Sequence, residues 1–272
     1  MAPRARKKTK MIGTIVPIAR NKKIPFEIID DRFISNWLAE QKLAGVDYIS
    51  FHTPDEHEAA TGGFDYCERL ANEDVLSAAA FEARKKGCDS VVWACTSASF
   101  FRGVQYARRQ IQLLSESAAA PATNTSMAFL AALDALRAKR VDVVLPYSPE
   151  IAKMMVSFLS EVDIGVGRVW HMEAPTSGGF FEIDCEAELA KFVSSRPFST
   201  DPILIPCTAI SSLKRVEAFE KISGRPVITA NQVTVWHALV LAGLTPSILD
   251  AGSFLRSCAQ AGNGAFRSPL EN

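Results

Sequence analysis

The sequence predicts an α/β fold made of two similar halves, each a parallel sheet covered by helices. Three observations carry that prediction. Short apolar runs alternate with longer segments of helical period along the whole chain. The two halves echo each other: SVVWACTSAS at 90–99 against PILIPCTAIS at 202–211, and IGTIVP at 12–17 against VDVVLP at 141–146. The 272 residues, 48% hydrophobic and 22% charged, give room for one large domain or two smaller ones with real cores.

The elements follow in order. Residues 11–17 and 46–51 read as buried strands, with a helix over 33–43 that places Phe33, Ile34, Trp37 and Leu38 on one face. An Ala-rich helix over 70–86 stops at Gly87, with Lys85 and Lys86 in its last turn. A strand at 90–94 runs straight into Cys95-Thr96-Ser97, and a helix follows over 104–116. In the second half, helices over 126–138, 149–162, 186–194 and 212–222 alternate with strands at 141–145, 168–172, 202–205 and 226–229. A strongly apolar helix over 233–242 closes the pattern, with Trp236 at core spacing from Val233 and Val240. Strands alternating with helices argue for parallel sheets buried on both faces. The boundaries read as a basic leader at 1–10, a first half at 11–120 plus 228–272, and a second half at 121–227; the segment from 245 onward carries no readable signal.

Charge narrows the function. Lys and Arg number 30, as do Asp and Glu, and five of the basic residues sit in the first ten positions. The remaining body is therefore acidic and has no electrostatic footprint for nucleic acid. No apolar stretch approaches the roughly 20 residues of a membrane span, and the leader lacks the apolar region of a secretory signal. Six cysteines without any C-x-x-C pair give neither a disulfide scaffold nor a zinc ribbon. The expectation is a reduced, cytoplasmic protein without metal or cofactor, acting on a small molecule, with a homo-oligomer left open. His52 and His57 have the wrong spacing for one helical face, and His171 and His237 read as core or cleft-edge residues. Gly178-Gly179 has neither dinucleotide nor P-loop form.

Position singles out two thiols. In an open α/β sheet, ligands bind beyond the carboxyl ends of the strands, and both Cys95 and Cys207 stand there. A thiolate just ahead of a helix is stabilised by free backbone N–H groups. The hydroxyls of Thr96, Ser97 and Ser99 in one half, and of Thr208 and Ser211 in the other, can donate to an anion. Singly, each cysteine reads as a buried strand-end residue; the repeated Cys-Thr makes the pair a candidate for chemistry on both sides of one carbon. Cys67, Cys88, Cys185 and Cys258 read as structural or incidental.

CTSASFFRG at 95–103, LPYSPEI at 145–151, PCT at 206–208 and ANQVTVWHALVLAG at 230–243 resemble the aspartate/glutamate racemase superfamily. Within it, the resemblance is greatest to the branch of maleate cis-trans isomerase and arylmalonate decarboxylase. The resemblance implies two Rossmann-like halves related by pseudo-twofold symmetry, a site in the cleft between them, and no cofactor. It also implies Cys95 and Cys207 as the catalytic pair, since the isomerases carry both thiols while those decarboxylases have glycine at the first. Carboxylate binding would then fall to Tyr147, Thr96, Ser97 and Thr208, with Pro17 and Asn21 from the first loop. Two places depart from the pattern: Pro17 is followed by Ile-Ala-Arg-Asn, which displaces Asn21 and brings in Arg20, and PTSGGFFE at 175–182 lacks the expected asparagine. Glu27 is the nearest acidic residue of that first loop. The resemblance implies isomerisation of a small carboxylate, most like that of maleate. An amino-acid or hydantoin racemase, a malonate-type decarboxylase and a carboxylate-binding protein without turnover are the rivals.

Overall fold

The computed structural model describes residues 9–19, 31–41, 43, 45–55, 63–174, 179–195, 199–246, 248 and 251–261. Its first sheet contains β1 (Lys10–Ala19), β2 (Val46–Asp55), β3 (Ser90–Trp93) and β4 (Ala122–Asn124). The second contains β5 (Arg140–Leu145), β6 (Gly165–His171), β7 (Ile203–Ile205) and β8 (Val227–Thr229). The strand orders are β2-β1-β3-β4 and β6-β5-β7-β8, and every pairing is parallel. The predicted α/β class therefore holds, and both sheets are wound in the same order.

Register makes the echo quantitative. Thr14 pairs with Val92 in the first sheet, and Val143 pairs with Leu204 in the second. Setting Cys95 against Cys207 places Val92 on Leu204, so Thr14 corresponds to Val143, Gly13 to Asp142 and Pro17 to Pro146. Both strand prolines and both cysteine-led turns thus superpose with one consistent register. Beyond Ile15 β1 has no further partner on β3, so Pro17 withdraws no hydrogen bond from that side.

Helices cover the sheets. In the first half these are α1 (Asp31–Glu40), α2 (Phe64–Leu70), α3 (Glu73–Lys86), α4 (Ser97–Phe100), α5 (Gly103–Ala118) and α6 (Thr125–Ala135). The second half adds α7 (Pro149–Ser160), α8 (Cys185–Ser194) and α9 (Val216–Ser223), followed by α10 (Ala230–Leu241) and α11 (Gly252–Ala261). The helix expected over 70–86 is α3, which begins at Glu73 because the Asn72 side chain accepts from Val75 N at 3.1 Å and caps it, and the short α2 lies ahead of it where no helix was expected. Gly87, at φ 73°, ends α3 as expected. The four-residue α4 and the three-residue β4 escape a hydropathy reading because they are short and rich in hydroxyl and amide groups. α9 starts at Val216 rather than at 212, and α11 lies in the segment that gave no signal.

Polar bonds stitch the halves together along α10. Thr125 Oγ1 and Thr234 Oγ1 lie 2.9 Å apart, Thr123 Oγ1 and His237 Nδ1 lie 3.0 Å apart, and Ser90 donates to the Ala238 carbonyl at 2.7 Å. A second tie crosses at α5: Glu161, just past α7, accepts from Val104 N at 2.8 Å. Gly103 permits this, since its φ is +81° and a Cβ there would come within 2.4 Å of the Glu161 carboxylate. After α10 the chain returns to the second half, where α11 packs on α9 and β8 and Ser253 N donates to Glu220 at 2.9 Å. Trp236 is core, as expected, stacked on His237 and edge-on to Phe254.

Candidate active site

Cys95 and Cys207 each follow the end of their strand by two residues, β3 in one half and β7 in the other. The turn carrying Cys95 is held by hydroxyls. Ser99 donates to the Cys95 carbonyl at 2.7 Å and meets Ser126 Oγ at 2.6 Å, while Ser126 donates to the Thr96 carbonyl at 3.1 Å. Gln110 donates to the Ala98 carbonyl at 2.8 Å. The Cys207 turn is held by an amide instead: Asn231 Nδ2 donates to the carbonyls of Thr208 and Ile210 at 3.1 and 2.9 Å. That residue was not among the sequence candidates. Its signal was the Thr229/Gln232 capping box, which sets the start of α10 and so places Asn231 over the turn.

The two thiols and Tyr147 are close enough to perturb one another electrostatically, across the junction of the halves. Burial pushes Cys95 up to about 12, opposed by a backbone N–H from Ala98, while Cys67 and Cys207 raise it further. Burial also pushes Cys207 up to about 11, and the N–H groups of Ala209 and Ile210 with the Tyr147 hydroxyl favour its thiolate. Both sulfurs are thus neutral thiols in the resting protein at neutral pH. Cys207 is the better supplied with donors, so the pair is chemically unequal despite its matched placement.

Tyr147 stands between them. Its hydroxyl donates to the Pro206 carbonyl at 2.7 Å, beside Cys207, and its own carbonyl lies 3.1 Å from His171 Nδ1. Its ring packs edge-on against Phe100 at 6.0 Å and Phe180 at 5.8 Å. The Thr96 hydroxyl is buried without a hydrogen-bond partner next to Cys95. Ser97 lies between Cys95 and Cys67 and interacts with both thiols. Thr208 flanks Cys207 and shares a small cavity with Ala94 and Val16. Pro17 lies two residues past the last β1–β3 pair and is itself paired with Thr53 on β2. Asn21, Arg20, Glu27, His57 and Gly178 lie outside the described residues.

Cys67, Cys185 and Cys258 stand in the core despite the polar residues beside them in sequence, and all six cysteines are buried and free. Cys88 packs against Gly13. Cys67, on α2, sits beside the site rather than apart from it, because α2 packs on α4 directly after Cys95. Arg102, at the start of α5, is exposed and paired with Glu68.

A family model described as arylmalonate decarboxylase matches residues 62–255, well over half of the chain. The chain belongs to that family. Among curated relatives of this enzyme, a maleate isomerase of Pseudomonas putida is 27% identical over 196 residues, 69% of this chain and 78% of the relative. An arylmalonate decarboxylase of Bordetella bronchiseptica is 26% identical over 168 residues, 59% of this chain and 68% of the relative. The fold is shared with the crystal structure of a Pseudomonas putida maleate isomerase, with a TM-score of 0.77 at 24% identity over 92% of this chain and all of that one. A Nocardia farcinica maleate cis-trans isomerase, solved with a covalently bound succinylcysteine intermediate, gives 0.74 at 20% identity, covering 91% and 98%. Among the described residues no helix is long and apolar enough to cross a membrane.

Proposed function

We propose that this member of the arylmalonate decarboxylase family is a cofactor-independent isomerase of a small carboxylate, working through Cys95 and Cys207 in the manner of a maleate cis-trans isomerase. The single observation that carries the reading is the presence of a thiol in each half at the same register position, with Tyr147 between them. Thiolate sulfur is a soft nucleophile, and a carboxylate conjugated to an alkene makes the alkene carbon electrophilic. Cys95 gives its proton to solvent, and its thiolate sulfur bonds to one alkene carbon. The Cys207 thiol gives its proton to the other carbon, so the double bond becomes single and rotates. Removal of a proton from that second carbon by the Cys207 thiolate then expels Cys95 and restores the alkene in the trans form. Atoms and electrons balance without an external oxidant. The succinylcysteine intermediate seen in the Nocardia protein supports this route.

Carboxylate recognition in this reading falls to Thr96, Ser97, Thr208 and Tyr147, with Pro17 and Asn21 closing the first loop. The unpartnered Thr96 hydroxyl fits a donor waiting for an anion. Both thiols are neutral at rest, so the free-enzyme rate rises with pH. From pH 7 to 9, kcat/KM climbs on the order of tenfold per unit, because each unit below a thiol's pKa multiplies its thiolate tenfold. Six free thiols suit a reducing compartment.

Malonate-type decarboxylation is the second reading, favoured by the family match and by the aromatic rings against Tyr147. Incubation with maleate in D₂O, without metal or cofactor, separates the two by the vinyl proton signals. Fumarate is expected, and Cys95→Ser should abolish it. No fumarate from maleate, with arylmalonate losing CO₂ at an undiminished rate in Cys95→Ser, would replace isomerisation by decarboxylation.

A further inference from the structure

A small, mostly apolar cavity with a few polar groups in its wall lies against the site, on the face of the first sheet under α1 and α10. Its volume is about 20 Å³, and Ala94 and Thr208, the neighbours of the two thiols, are part of its wall. Thr14 and Tyr48 line it from the sheet, and Asn231 and Thr234 from α10. Val16, Ile34 and Val235 complete the lining with apolar surface.

Two of these groups lack a geometrically sound hydrogen-bond partner. The Thr14 hydroxyl and the Tyr48 phenol are buried, 1% and 3% exposed, and lie close enough to interact with each other, but neither has a hydrogen-bond partner in good geometry. A buried hydroxyl left unpaired is costly, and native proteins satisfy such groups with protein, water or ligand. The second half shows that the architecture does not require them. Thr14 corresponds to Val143; Tyr48 pairs with Ile12 where Val166 pairs with Val141, so its counterpart is Val166. Where one sheet carries a threonine and a tyrosine, the other carries two valines.

We infer that Thr14 and Tyr48 form a polar subsite beside the thiol pair that takes one uncharged hydroxyl oxygen, either a hydroxyl substituent of the carboxylate substrate or a water in its place. The lining offers donors and acceptors but no charged side chain among the described residues, so a second carboxylate or an ammonium finds no counter-ion there. The volume matches a single oxygen, which needs about 10–15 Å³ and two or more polar partners. Thr14, Tyr48 and the Thr208 or Thr234 hydroxyls supply those partners. This inference deepens the proposed function, since it names the kind of carboxylate the site would prefer.

Two measurements test it separately from that reading. In crystals of the ligand-free protein, one ordered solvent oxygen is expected within hydrogen-bonding distance of both Thr14 Oγ1 and Tyr48 Oη, and absent from Thr14→Val. A dry cavity, or a direct bond between the two side chains, would overturn the subsite whatever the enzyme's reaction. Protection of the thiols against alkylation, compared for succinate and for both enantiomers of malate, identifies the source of the oxygen. One malate should protect at about 3- to 10-fold lower concentration than succinate, the worth of one hydrogen bond, and Tyr48→Phe and Thr14→Val should erase the difference. Equal protection by succinate and malate, with the solvent oxygen present, would leave a resident water and overturn the substrate hydroxyl. If neither ligand protects, the small-dicarboxylate reading fails, while the crystal still decides on the subsite.

Discussion

The two halves share strand order, register and a cysteine at the same place, yet they are held together by different chemistry. At the position of Gly13 in the first sheet, the second carries Asp142, 2% exposed. Gly13 is packed by Cys88, Phe51 and Ala83, a contact with no space for a side chain. Asp142 instead accepts from Arg225 at 2.8 Å and from Arg168 N at 2.8 Å, with the Arg168 guanidinium at 3.5 Å and stacked 3.9 Å over Phe192. One sheet is closed by apolar contact and the other by a buried ion cluster. The same division recurs at the site, where hydroxyls of the first half hold the Cys95 turn and a single amide of α10 holds the Cys207 turn. A duplicated frame thus fixes where the thiols stand, and the unlike residues around them decide what each can do.

The largest expected effect comes from making the thiols unequal by mutation. Cys95→Ser should lower isomerisation by roughly 10³-fold or more, as loss of a nucleophile does, with the thermal transition little moved; steady-state kinetics and calorimetry check both parts. Next comes the ion cluster. Arg225→Met leaves Asp142 with the Arg168 backbone N–H and, as charge partner, the longer Arg168 guanidinium contact, and denaturant unfolding should show a loss of about 3 kcal/mol. Gly13 has no such dependence on charge, so the loss should belong to the second half and appear in hydrogen exchange on β5 and β7 before β1 and β3.

The seam between the halves responds to pH. Burial lowers His237 from 6.5 to about 4, so the folded protein keeps it neutral where the unfolded chain takes a proton. Its contribution is complete above the unfolded pKa and falls away as pH drops from about 6.5 toward 4, by about 3 kcal/mol in all. His237→Gln should flatten unfolding free energy over that window; an unchanged slope would assign the acid sensitivity elsewhere. Smallest is Gly103→Ala, which forces a Cβ into a left-handed turn against Glu161. A loss of about 1–2 kcal/mol in the same unfolding assay is expected.

Four strands were legible as apolar runs marked near their carboxyl ends: β1 by Pro17, β5 by Pro146, and β3 and β7 by Cys95 and Cys207. The helices with caps and stops were legible for the same reason, as at Gly87. What escaped was built from polar residues serving the interior. Asn124 and Thr123, given no element by the hydropathy pattern, form β4, Asn72 caps α3, and Asn231 holds the Cys207 turn through two carbonyls. A hydropathy pattern counts such residues as solvent-facing, and only their partners reveal otherwise. Cys67 escaped because nothing local in its sequence brings α2 onto α4; packing does.

The central claim is that Cys95 and Cys207 act on one substrate from opposite halves. It is tested most directly by incubating Cys207→Ser with maleate and mapping the modified peptide by mass spectrometry. A covalent adduct of one maleate on Cys95, absent from Cys95→Ser, is the predicted result. Fumarate formed by the wild-type protein with no adduct on Cys95 in the variant, or an adduct on Cys67 instead, would contradict it.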